Sequence, residues 1–196
     1  MPADGLNRRL LLAAPLALAA CQGAPAGAAP GLPPLKSIAP CPFGVCAMTG
    51  QFDEPAWVDL ATRHFSQITP EWEMKMEAIL SADRSFDFTR PDRIAAFAAA
   101  RDLRLHGHAL VWYSQGAEAF AGLDRASFAA EYDRYITAVA GRYRGKVVSW
   151  DVVNEAVAED GNGLRDCHWS RALGPDGYII RAFEQARAAD PDAVLF

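Results

Sequence analysis

The chain has 196 residues, 51% of them hydrophobic and 22% charged, the balance of an ordinary globular protein. Its net charge is −5 and no basic cluster interrupts it, which excludes nucleic acid as a partner. Lysines occur only at 36, 75 and 146, so a lysine inside a motif stands out.

Arg8 and Arg9 precede an apolar stretch, Leu10 to Ala20, too short to anchor as a bilayer-spanning helix. It closes on Leu18-Ala19-Ala20-Cys21, which resembles a bacterial lipobox. Residues 1–21 are therefore expected to be a lipoprotein-type signal, with Cys21 lipidated as the mature N-terminus. A plain secretory signal is the other reading. Both imply export, either as a cell-envelope lipoprotein whose only membrane contact is lipid on Cys21 or as a secreted protein. Residues 22–40, rich in Ala, Pro and Gly, are expected to form a flexible tether. In an exported protein Cys41 and Cys46 can bridge, or Cys46 can be a small residue of the first strand. Both readings stay open, and Cys167 has no evident partner. No cysteine or histidine spacing points to zinc, and no cofactor is expected.

Beyond the tether, short apolar runs alternate with amphipathic ones. Strands are expected at 43–48, 66–69, 105–111, 147–153 and 193–196. Helices are expected over 54–65, from Pro91, over 127–143 and over 178–189. Pro91 suits a first helical turn, where its missing N–H costs nothing. Ile94, Ala95, Phe97 and Ala98 form the inner face of that helix. Phe128, Tyr132, Tyr135, Ile136 and Val139 form that of the next. Alternating strands and helices imply a parallel sheet. The fold class is α/β, read as a (β/α)8 barrel carrying about four βα units and the start of a fifth strand. A closed barrel typically needs about 250 residues. A doubly wound sheet is the alternative, although no Gly-rich phosphate loop follows the first strand.

Three of the strand ends carry polar or aromatic groups: Thr69-Pro70-Glu71-Trp72-Glu73-Met74-Lys75, Gly107-His108-Ala109-Leu110-Val111-Trp112, and Ser149-Trp150-Asp151-Val152-Val153-Asn154-Glu155. The C-terminal ends of barrel strands are where such folds place their chemistry. Glycoside cleavage needs one carboxyl group to protonate the leaving oxygen and a second to attack C1 or activate water. Glu155 is placed to be the proton donor, with Asn154 beside it to bond a sugar 2-hydroxyl. Asp151 shares a strand face with Glu155 and reads as a structural residue of the barrel interior.

Together these runs resemble glycoside hydrolase family 10, the endo-1,4-β-xylanases of clan A. The family carries Thr-x-Glu-Asn-x-Met-Lys, His-Thr-Leu-Val-Trp-His and Trp-Asp-Val-Val-Asn-Glu at the corresponding strand ends. Trp169, Leu173-Gly174, Tyr178-Ile179 and Asp190-Pro191-Asp192-Ala193 extend the likeness, which makes residues 41–196 the N-terminal part of the catalytic domain. The resemblance implies a retaining hydrolase cleaving β-1,4-xylosidic bonds of xylan, with Glu155 as acid/base. It implies Asn154, Lys75, His108 and Glu71 as sugar-hydroxyl ligands, and Trp112 as the wall of the sugar next to the cleavage point. It also implies a monomer if the barrel is complete. The family's nucleophilic glutamate belongs to the seventh strand, past Phe196, so these residues alone are expected to be inactive. Trp72 and Tyr113 depart from the family's Asn and second His. A β-1,4-glucanase of the same clan and a non-catalytic polysaccharide-binding lipoprotein are the competing readings.

Overall fold

In the computed structural model, which describes residues 31–196, the strands pair in parallel and in chain order. They are β1 (Gly44–Ala47), β2 (Gln67–Pro70), β3 (Arg104–Trp112), β4 (Ser149–Asn154) and β5 (Val194–Leu195). An order that never reverses excludes the doubly wound alternative, whose strands turn back at a switch point. It is the order of successive strands in a (β/α)8 barrel. The signal-like segment and Cys21 lie outside the described residues.

The connecting helices are α2 (Pro55–His64), α4 (Thr89–Ala99), α5 (Arg125–Arg142) and α7 (Gly177–Ala189). The apolar faces expected of α4 and α5 are buried as read. Boundaries differ by a residue or two where a side chain decides them. The helix with Pro91 begins at Thr89, because Asp87 Oδ1 accepts from the Thr89 N–H at 2.8 Å and organises the entry. Asp124 accepts from Ser127 N at 2.7 Å, which caps α5 and starts it at Arg125 rather than Ser127. Val147 still donates to the Tyr143 carbonyl, 3.0 Å away, so β4 begins at Ser149 rather than Val147.

Short turns were not legible: α3 (Met76–Ile79), α6 (His168–Leu173) and a 3-10 turn over Thr49–Asp53. Four to six residues are too few for a periodic signal. One more, α1 (Leu35–Ile38), falls inside the stretch read as a tether. Lys36 Nζ donates to the Thr62 carbonyl at 2.6 Å and fastens it to α2. Cys41, Cys46 and Cys167 are free thiols, so the bridge left open between Cys41 and Cys46 is not made.

The sheet packs on a core in which Ile68, Leu105, Leu110, Trp150 and Val152 are at most 1% exposed. Gly107 on β3 stands opposite Trp150 on β4, and the indole fills the space a side chain would take. A Cβ on Gly107 would lie 2.1 Å from Trp150 Cε3, with no flexible side-chain end to yield. Gly107→Ala is expected to lower stability by about 3 kcal/mol through overpacking. The urea midpoint should fall with the slope unchanged, whereas an unshifted midpoint would mean that the indole repacks at no cost.

Candidate active site

In a parallel pair, residues in register present their side chains to the same face, and β3–β4 uses this three times. His106 lies opposite Ser149, His108 opposite Asp151, and Trp112 opposite Asn154. The side chains of the first two pairs meet. His106 Nδ1 is 2.7 Å from Ser149 Oγ, and its Nε2 is 3.0 Å from Asp151 Oδ2. His108 Nδ1 reaches the same carboxylate oxygen at 2.7 Å. An ionised carboxylate only accepts, so both rings must carry a proton on the nitrogen facing Asp151. Burial pushes the Asp151 carboxyl up, but the hydrogen bonds and charge of His106 and His108 outweigh it, holding it well below the usual carboxylate range.

Between His108 and Val111 the register slips by one residue. Without this bulge Trp112 would stand opposite Glu155, but it stands opposite Asn154. Its indole Nε1 reaches along the sheet end and donates to Glu155 Oε2 at 2.9 Å. Glu155 is the first residue past β4 and takes the left-handed backbone conformation, φ 54°, unusual for a side-chain-bearing residue. That turn lifts its exposed carboxylate off the strand.

The loop after β2 supplies the third side. Met74 and Met76 are buried at 0% and 1%, which pins the loop from below and leaves Lys75 directed upward. Its ammonium lies 4.8 Å from the centroid of the Trp112 ring and 6.0 Å from that of Trp72. Glu73, buried, accepts from Thr49 N at 2.6 Å and Thr49 Oγ1 at 3.0 Å, tying the loop to the turn after β1. Lys75, Trp112 and Glu155 thus form one contiguous group with Asn154 in register beside it. His108 joins the neighbouring Asp151 group. Glu71 is exposed on the β1 side, where the Cys46 thiol is pushed up by burial and then by its hydrogen bond to Glu71.

Motif reading assigned no role to two residues that hold this group. Trp169 Nε1 donates to the Trp112 carbonyl at 3.0 Å from a fully buried position. Arg165 donates to the carbonyls of Glu155 (3.2 Å) and Val157 (3.3 Å), and stacks its guanidinium on Tyr113 at 3.9 Å. Trp169 belongs to a segment whose likeness was visible. Arg165 sits in a loop with no periodicity to betray it.

The family model for Glycosyl hydrolase family 10 matches residues 36–196. The chain belongs to this family. Among curated relatives, it is 38% identical over 178 residues to endo-1,4-beta-xylanase A of Thermotoga maritima, covering 84% of this chain and 17% of that protein. It is 40% identical over 177 residues to endo-1,4-beta-xylanase A of Cellvibrio japonicus, covering 83% and 29%. A xylanase of Paenibacillus barcinonensis, crystallised with a conduramine derivative, superposes with a TM-score of 0.78 at 32% identity, over 86% of this chain and 53% of that one. The chain thus spans well under half the length of these two curated relatives. Within the glycosyl hydrolase family 10 segment, the polar groups of β2, β3 and β4 gather at the strand ends, as the fold class requires.

The Asp151 group carries a pH signature. Because its folded-state value lies below the unfolded one, the carboxylate adds stability above the ordinary Asp value of about 3.9 and loses it as pH falls through the lower folded-state value. Asp151→Asn is expected to cost about 1–2 kcal/mol at neutral pH. Thermal melts from pH 7 to pH 2 should show the gap between variant and wild type closing below about pH 4, and a gap constant across that range would disprove the assignment.

Proposed function

We propose that this segment supplies the acid/base side of a retaining endo-1,4-β-xylanase that cleaves β-1,4-xylosidic bonds in xylan. The hydrogen bond from Trp112 Nε1 to Glu155 Oε2, under an indole whose face Lys75 also meets, is the observation that carries this reading. Glu155 donates its proton to the leaving glycosidic oxygen and later takes one from water. Asn154 bonds the 2-hydroxyl of the sugar on which positive charge develops, an interaction that tightens in the transition state. Trp112 closes one side of that sugar, and Lys75 donates to its hydroxyls. His108 bonds a further sugar hydroxyl through Nε2. Glu71 accepts from hydroxyls further along the non-reducing side. The reaction needs a second carboxylate about 5 to 5.5 Å from Glu155. The family pattern puts it on a later strand, so the complete activity belongs to the longer protein these residues match.

In an enzyme that joins this segment to its second carboxylate, Glu155→Gln is expected to slow hydrolysis of xylan by about 100- to 10,000-fold. Aryl xylosides with good leaving groups need little protonation and should lose far less in the glycosylation step. Equal losses on both substrates would remove Glu155 from the acid role.

We also propose export with lipid on Cys21, supported by the lipobox-like Leu18-Ala19-Ala20-Cys21. Cells fed a clickable fatty acid should label the wild type and not Cys21→Ala, and equal labelling would rule lipidation out.

A further inference from the structure

Trp72 differs from the other tryptophans in its exposure. Of the five tryptophans, Trp150 and Trp169 are fully buried, Trp57 and Trp112 are half-buried, and Trp72 alone is exposed, at 38%. Its own loop already secures itself by sinking Met74 and Met76 into the core and tying Glu73 to Thr49. The indole therefore stands outward at the cost of leaving apolar surface in water. It stands at the site rather than elsewhere. Lys75 Nζ lies between the Trp72 and Trp112 rings, 6.0 and 4.8 Å from their centroids, so one ammonium links both indoles at the same rim.

An indole recognises a sugar differently from an amide. An amide at this position, as in the family pattern, reads individual hydroxyls through directed hydrogen bonds. An indole has no acceptor on its ring face, and that face carries negative quadrupole charge. The complementary surface is the axial C–H face of a β-configured pyranose, whose hydrogens are polarised by neighbouring oxygens. Equatorial groups project away from such a contact. A hydroxymethyl group on C5 is equatorial in β-1,4-glucan and absent in β-1,4-xylan, so the stacked face is the same in both.

We propose that Trp72 forms a stacking subsite on the glycone side for β-1,4-linked pyranoses, one that reads the ring face and tolerates glucose as well as xylose. This rests on the proposed function, since it takes Lys75 and Trp112 as sugar ligands. Lys75 orients the two indoles and supplies the directed contact that Trp72 lacks.

Calorimetric titration of the full chain with xylotetraose and with cellotetraose tests this. Trp72→Ala is expected to weaken both by about ten-fold, equivalent to about 1.4 kcal/mol. Trp72→Phe, which keeps a ring face, should bind both within about three-fold of wild type, roughly half that energy. Unchanged affinity of Trp72→Ala for either sugar overturns the proposal. If Trp112→Ala still abolishes binding in that case, the proposed function stands and only the role of Trp72 falls. Absence of binding by the wild-type chain overturns the stacking subsite, while the acid/base reading is decided by the Glu155→Gln comparison. Thermal melts of each variant report folding, and a well-folded Trp72→Phe that binds like Trp72→Ala also refutes stacking.

Discussion

The pairing of β3 with β4 fixes where the polar groups carried by those two strands can stand. Gly107 gives the strands their close approach, because the Trp150 indole occupies the volume of its missing side chain. From that contact the register runs outward: His106 beside Ser149, His108 beside Asp151, then the one-residue slip that puts Trp112 beside Asn154. With that slip the Trp112 indole reaches along the sheet end to Glu155 and is its only side-chain partner among the described residues. The chemistry at the top of the sheet thus depends on a packing contact near its middle.

Holding Glu155 is a separate problem, since a residue at φ 54° pays a conformational cost that its surroundings must cover. The segment after it folds back on itself. Arg165 N donates to the Ala156 carbonyl at 2.8 Å, and Ala158 N to the Gly163 carbonyl at 3.0 Å. Arg165 then reaches across with its guanidinium to the Glu155 carbonyl while stacking on Tyr113. Tyr113 is one of the two departures from the family pattern. An imidazole offers a smaller ring for a guanidinium to cover, so Tyr113 and Arg165 read as a matched pair that clamps the end of β3 to the loop after β4.

What the sequence made legible follows the length of each signal. Long amphipathic stretches such as Phe128 to Val139 declared their buried face correctly, since one burial pattern satisfies all their apolar residues. The strand-end motifs declared Lys75, Trp112 and Glu155, which the fold brings into one group. The turns Met76–Ile79 and His168–Leu173 escaped, because one turn of helix is set by its neighbours more than by its own residues. The bridge left open at Cys41 and Cys46 was a choice between chemistries that spacing cannot make. Arg165 escaped for another reason: its role exists only through backbone carbonyls, and no side-chain pattern records those.

The histidines show how a half-buried carboxylate organises the strand beside it. One carboxylate oxygen of Asp151 accepts a hydrogen bond from each of two rings, His106 at 3.0 Å and His108 at 2.7 Å. Burial works against keeping that carboxylate ionised, and the two rings together overcome it. Once it is ionised, both rings must carry a proton on the nitrogen facing it. The residue read as a structural acid below the site therefore fixes the orientation of two rings on β3.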